Sequence, residues 1–104
     1  MEKTLQQIVD IGEAISHPLR LKLIYMLAER EWYVYELAKE LKISRQVLYL
    51  HLKRLEKADF VESDLRLEDE DMRAKKFFRL KQFDVEVGIE DLNRIFENSS
   101  DNNE

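Results

Sequence analysis

The chain of 104 residues contains no cysteine, one proline, two glycines, two histidines and one tryptophan. Without cysteine there is no disulfide, no thiolate metal site and no cysteine redox switch. Two histidines do not make a His-rich metal site, so no metal or other cofactor is expected. No N-terminal apolar run resembles a secretion signal, and no segment approaches the ~20 apolar residues of a membrane span. A soluble cytoplasmic protein with no membrane partner is the expectation. A Gly-rich phosphate loop and a nucleophile motif are missing too, which argues against an enzyme.

What the chain has in quantity is charge, at 38% of residues. Few glycines, no cysteine and many charges are the mix that thermophile proteins tend to show. The formal net charge of −5 argues by itself against a polyanionic partner, but the distribution reverses that impression. Residues 42–57 carry Lys42, Arg45, Lys53, Arg54 and Lys57 against one acid, Glu56. Residues 73–81 carry Arg73, Lys75, Lys76, Arg79 and Lys81 with no acid. The stretches 58–72 and 82–104 hold seven acids each against a single arginine. Two basic islands thus sit in an acidic chain. Charges more than roughly 8–10 Å away are screened at physiological salt, so a phosphate responds to the island and not to the total.

One domain is expected at this length, small enough that pairing with a second copy would add useful burial. Helical spacing of Leu5, Ile8, Val9, Gly12 and Ile15, with Ile11 beside them, predicts a first helix after Thr4. Its apolar stripe is wide, and it either covers the core or meets a second copy of itself. His17-Pro18-Leu19-Arg20 restarts the chain, with proline at a favoured first helical position. His17 reads as a cap or a surface residue before it reads as a ligand. Leu19, Leu23, Met26 and Leu27 then mark a core helix. Glu31-Trp32-Tyr33-Val34 is an edge strand or an extended linker whose two aromatic rings plug the side of the core.

Residues 34–58 organise everything else. They read as a short amphipathic helix around Leu37, Ala38 and Leu41, a break at Lys42-Ile43, and a longer helix beginning after Ser44. This is a helix-turn-helix, whose second helix usually reads the DNA major groove. Lys42 stands where glycine is common, and a left-handed non-glycine costs on the order of 1 kcal/mol. Ser44 can accept the N–H of Val47 as a helix cap. Leu48, Leu52 and Leu55 fall on one side of the second helix. Gln46, Leu50, Lys53 and Lys57 fall on the other, flanked by Arg45, Tyr49 and Arg54. That face is nearly free of acids and leaves Leu50 and Tyr49 to solvent. Both features suit base edges, where glutamine pairs with adenine, arginine with guanine, and an apolar side chain with a thymine methyl. Lys53, Arg54 and Lys57 suit phosphates. His51, at the edge of the core stripe, could donate to a phosphate or pack half-buried.

Alternation over residues 60–67, with Val61, Ser63, Leu65 and Leu67 on one side, and a second strand over 75–81 predict a β-hairpin. Phe78 and Leu80 should point inward, while Arg73, Lys75, Lys76 and Arg79 are placed to touch a nucleic-acid backbone. Glu68, Asp69, Glu70 and Asp71 at the tip would be repelled by it. Either the tip bends away or the base of the hairpin makes the contacts. A last helix is expected over 85–97, with Ile89, Leu92, Ile95 and Phe96 as its apolar stripe. The polar tail 98–104 reads as disordered.

This order of elements resembles the ArsR-type winged-helix transcription regulators of bacteria and archaea. The resemblance covers residues 11–80. It is carried by His17-Pro18-Leu19-Arg20-Leu21, Glu36-Leu37-Ala38 with Ile43-Ser44, His51-Leu52 with Leu55, and Phe78-Arg79-Leu80. It implies an α+β, mainly α, winged helix-turn-helix over residues 1–97. It also implies a homodimer joined through its first and last helices, binding double-stranded DNA at a near-palindromic operator and usually repressing. On this chain the DNA contacts would be Ser44, Arg45, Gln46, Tyr49, His51, Lys53 and Arg54 plus the wing base. The dimer contacts would come from the terminal stripes, Leu5, Ile8, Ile11, Gly12 and Ile15 with Ile89, Leu92, Ile95 and Phe96. Metal-sensing members carry cysteines or paired histidines and carboxylates, which this chain lacks. Two other functions compete with a sequence-specific regulator. One is a winged-helix module that contacts protein in a larger assembly. The other is an architectural DNA-binding protein with little sequence preference. Steep weakening with salt separates DNA binding from an apolar protein contact.

Overall fold

Capping chemistry sets the first helix. In the computed structural model, which describes residues 2–67 and 73–98, α1 spans Leu5–Ala14. The Thr4 hydroxyl accepts the N–H of Gln7, and the Gln7 side chain accepts the N–H of Thr4. This reciprocal pair satisfies two N–H groups that a helix start leaves open. At the far end no glycine closes the helix. The buried guanidinium of Arg20 takes over instead, donating to the carbonyls of Glu13 (2.8 Å) and Ala14 (3.0 Å). A cation suits those open carbonyls and the negative end of the helix dipole. Helix α2, Pro18–Glu29, starts on His17, whose Nδ1 accepts the N–H of Leu19. His17 is a cap.

Trp32–Tyr33 form β1, a short edge strand, and α3 follows as Val34–Leu41. The Glu36 carboxylate accepts the N–H of Tyr33 and anchors that corner. Lys42 is left-handed (φ 59°, ψ 43°), and the N–H of Ile43 returns to the carbonyl of Ala38. Helix α4, Arg45–Lys57, begins on Ser44, whose hydroxyl accepts the N–H of Val47 at 3.1 Å. It ends in the same way as α3: Asp59 is left-handed (φ 66°), and Phe60 N–H returns to Leu55. Both helices of the motif therefore close on a non-glycine residue.

Val61–Leu67 (β2) and Ala74–Leu80 (β3) make the wing, and the sheet order is β1-β3-β2, all antiparallel. Residues opposite one another share a face, so Val61, Ser63, Leu65 and Leu67 line up with Leu80, Phe78, Lys76 and Ala74. That alternation matches the expectation, but only the near half of the face is covered. Phe78 is fully buried, whereas Leu65 and Leu67 are 66% and 73% exposed because the hairpin runs past the helices. The core gathers Leu23, Leu37, Leu48, Leu52, Leu55 and Phe78.

The last helix departs from expectation. Helix α5 is Ile89–Asn98, so it starts four residues later than the apolar spacing suggested. Residues 81–88 are irregular, because Phe83 lies edge-on against Phe60 at 5.0 Å and Val85 packs on the core. Gly88 then opens the helix, its N–H donating to the Asp91 carboxylate. The acidic run 68–71 and the tail beyond Asn98 lie outside the described residues. Among the described residues no helix is long and apolar enough to cross a membrane.

Candidate nucleic-acid interface

Helix α4 is held by its apolar side. Leu48, Leu52 and Leu55 have no exposed surface, which fixes the rotation of the helix and turns Gln46, Leu50 and Lys53 outward. Leu50 is 66% exposed. Arg45, in the first turn, sits over the Tyr35 ring at 5.6 Å. The Tyr49 ring lies edge-on to Phe78 at 6.4 Å, with the Lys76 ammonium 5.4 Å above it. Wing and helix therefore meet through Tyr49, and Lys76 is brought beside the outward face. Lys75 lies over the Tyr33 ring at 5.2 Å on the opposite face of the sheet. Arg73, the residue before β3, is exposed.

Three other residues of α4 have different employment. His51 Nδ1 lies 2.8 Å from Arg20 Nη1, and since arginine can only donate, the imidazole accepts as the neutral base. Burial, then the nearby Arg20 and His17, push its pKa below the ordinary histidine value. His51 is half-buried, and its Nδ1 is taken up within the fold. Arg54 pairs with Glu13 at 2.8 Å, and Lys57 lies 3.8 Å from the buried carboxylate of Asp10. Both were expected on phosphates, and in the structure α1 supplies each with an acid. An open depression of about 340 Å³ lies along this side of α4, lined by Arg20, Leu50, His51, Lys53, Arg54 and Lys57.

Arg79 also departs from expectation. It was placed toward a nucleic-acid backbone, but it donates to Glu62 (3.1 Å) and Asp64 (2.6 Å). Arg66 bridges Glu31 in bidentate fashion (2.6 and 2.7 Å) and also reaches Asp64. The hydrogen bonds from these guanidinium groups hold the carboxyls of Glu31 and Asp64 below their usual range and raise both arginines. Five charged groups thus tie the outer face of the wing to the chain entering β1. Sequence reasoning missed this network. Its one visible signal was the alternation of Glu62, Asp64 and Arg66 opposite the apolar positions of β2.

The expected dimer residues divide. Leu5 (43% exposed) and Gly12 face outward on α1, and Ile8 and Ile15 are partly covered. Ile11 is a correction: it is buried in the core of its own chain and offers little to a partner. Ile89 and Phe96 are exposed on α5 and Leu92 and Ile95 are partly so, and none of these four is buried. Arg94 donates to the carbonyl of Lys3, and Lys3 Nζ to the carbonyl of Glu86, which sets α5 beside the start of α1.

Comparison with known proteins agrees with this architecture. The family model of bacterial regulatory proteins of the arsR family matches residues 17–63. An uncharacterised HTH-type transcriptional regulator of Methanocaldococcus jannaschii is 47% identical over 94 residues, covering 90% of this chain and 97% of that protein. Among solved structures, HlyU from Vibrio cholerae is 30% identical and covers 90% of this chain and 96% of its own, with a TM-score of 0.61. NolR from Sinorhizobium fredii, 21% identical, shares the fold over 74% of this chain and 71% of its own at a TM-score of 0.60.

Proposed function

We propose that this chain, which belongs to the arsR family of DNA-binding helix-turn-helix transcription regulators, works as a homodimeric repressor that recognises a specific sequence and does not sense metal. The observation that carries the reading is the outward face of α4. It presents Arg45, Gln46, Leu50 and Lys53 with no carboxylate partner among the described residues, next to Lys76 of the wing. Two such helices related by a two-fold axis meet successive major grooves about 34 Å apart. Arg45, Gln46, Tyr49 and Leu50 read base edges, while Lys53 and the wing base hold phosphates.

Support for the dimer is the apolar surface left on the terminal helices, with Leu5 and Val9 on α1 and Ile89 and Phe96 on α5. Arg94 donates to the carbonyl of Lys3 and Lys3 to that of Glu86, which brings α5 to the segment that leads into α1. Support for a metal-independent role is chemical. Cysteine is absent, and the two histidines cap α2 and bond Arg20. A dimer seated across a promoter excludes polymerase, which makes repression the simplest outcome. Cytoplasmic location follows from that role.

Anisotropy titration against duplex from the chain's own promoter and a scrambled duplex, across a salt series, tests the reading. A steep negative slope with a promoter preference of ~10³ or more is expected of a specific regulator. A steep slope without preference would make the protein architectural. No binding at low salt would leave a protein-contacting module. Sedimentation at the same concentrations checks the dimer.

A further inference from the structure

The cations of this chain differ in what they meet. Arg54, Arg66, Arg79, Lys81 and Arg94 each meet a carboxylate. Arg45 and Lys76 meet aromatic rings instead, and neither meets a carboxylate among the described residues. The difference is chemical. A carboxylate neutralises the cation and competes for it with a phosphate or a base. A ring face attracts it through the ring quadrupole and leaves its charge and its N–H donors available.

The ring beneath Arg45 is itself held. Tyr35, in the first turn of α3, has its centroid 6.0 Å from Tyr33, which lies 5.7 Å from Phe77 of β3. Tyr33 and Phe77 are register partners, so the sheet fixes their spacing. Arg66 covers Phe77 at 4.3 Å and is pinned by its bidentate bond to Glu31. A row of three rings therefore runs from the wing to the first residue of α4. That first turn is where a recognition helix presents side chains to base edges.

We propose that Tyr35 is a positioning residue for base recognition, its ring holding the Arg45 guanidinium in the orientation that a guanine edge requires. Guanine offers two acceptors to a guanidinium in one plane, and a rotated guanidinium loses one of the two bonds. Tyr35 acts through Arg45 and links base preference to the placement of the wing. The role rests on the DNA reading above and adds a residue that the helix-turn-helix pattern does not single out.

The test uses the full chain and a duplex that the wild-type chain selects from a randomised pool, with a scrambled duplex for comparison. Tyr35→Leu is expected to lower the preference for the selected duplex by about two- to fivefold, the size of an exposed cation–π contact. The slope of log affinity against log salt stays as it was, because Arg45 keeps its charge. Tyr35→Phe retains the preference, since the ring remains. In an Arg45→Ala chain, Tyr35→Leu adds no further loss. Tyr35 is 53% exposed, so both single variants should fold as the wild type does, which thermal unfolding checks. Three results would each overturn the role: Tyr35→Leu matching the wild type, Tyr35→Phe falling with Tyr35→Leu, or losses that add in the double variant. A wild-type chain that selects no duplex would overturn the DNA reading itself and this role with it.

Discussion

Helix α4 has two flanks of similar composition and different surroundings. On one, Arg45, Gln46, Leu50 and Lys53 meet solvent or a ring. On the other, His51, Arg54 and Lys57 meet Arg20, Glu13 and Asp10. A count of cations along the helix would rank the second flank as the better phosphate surface. The neighbours reverse that ranking, since α1 supplies acids to one flank and nothing to the other. The second flank fastens the reading helix to α1 and to the start of α2, and the first is left to act.

Removing the fastening should have the largest effect. Arg20→Ala strips the cation from the end of α1 and from His51, and takes away the donor to the carbonyl of the fully buried Ala14. A loss of about 3 kcal/mol in unfolding free energy is expected, read by denaturant or thermal unfolding. A change near zero would mean that the two flanks do not differ in structural role. Next, Gln46→Ala on the acting flank should cost about 1–3 kcal/mol of discrimination at one base pair while leaving stability unchanged. Profiling across a site library measures it, and an unaltered preference would remove Gln46 from the readout. Third, Lys53→Ala should shift the salt slope by about 0.9, the release of one phosphate contact. Arg54→Ala should shift it less, because Glu13 already holds that guanidinium. Equal shifts would erase the contrast between the flanks.

The smallest effect expected is a pH dependence. His51 has a folded pKa below its ordinary 6.5, so the fold prefers the neutral ring. Between the two values the unfolded chain binds the proton first. The contribution of His51 to stability is therefore complete above 6.5 and declines as pH falls through the folded value. Comparing His51→Gln with the wild type between pH 7.5 and about 5 isolates it from the carboxylates that titrate lower. A wild type that is no more pH-sensitive than the variant would contradict the Arg20–His51 contact.

Most of the fold was legible because its signals are local. Thr4, His17-Pro18 and Ser44 start their helices by hydrogen bonds within three residues. The three-to-four spacing of Leu48, Leu52 and Leu55 fixes which face turns in. The left-handed Lys42 was expected from its place in the motif, whereas Asp59, which closes α4 in the same way, carried no such cue. The start of α5 was misplaced for a non-local reason. Val85 has helical spacing with Ile89 and Leu92, but it packs on the core while Phe83 meets Phe60, and those contacts keep the segment out of the helix. Among candidate site residues, Gln46, Leu50 and Lys53 were legible as outward. The commitments of Arg54, Lys57 and Arg79 were not, since Glu13 and Asp10 are more than forty residues away in sequence and Glu62 and Asp64 lie across the sheet.

The sequence by itself thus determined the element order, the starts of α1, α2 and α4, the buried side of α4 and the family to which the chain belongs. Periodicity and capping depend on neighbours a few residues apart, and those are written consecutively. Tertiary structure alone decided which cations remain available, which isoleucine of α1 serves the core, and which ring lies under Arg45. Each of those outcomes depends on what another element places within about 4–6 Å, and that distance exists only after the chain has folded.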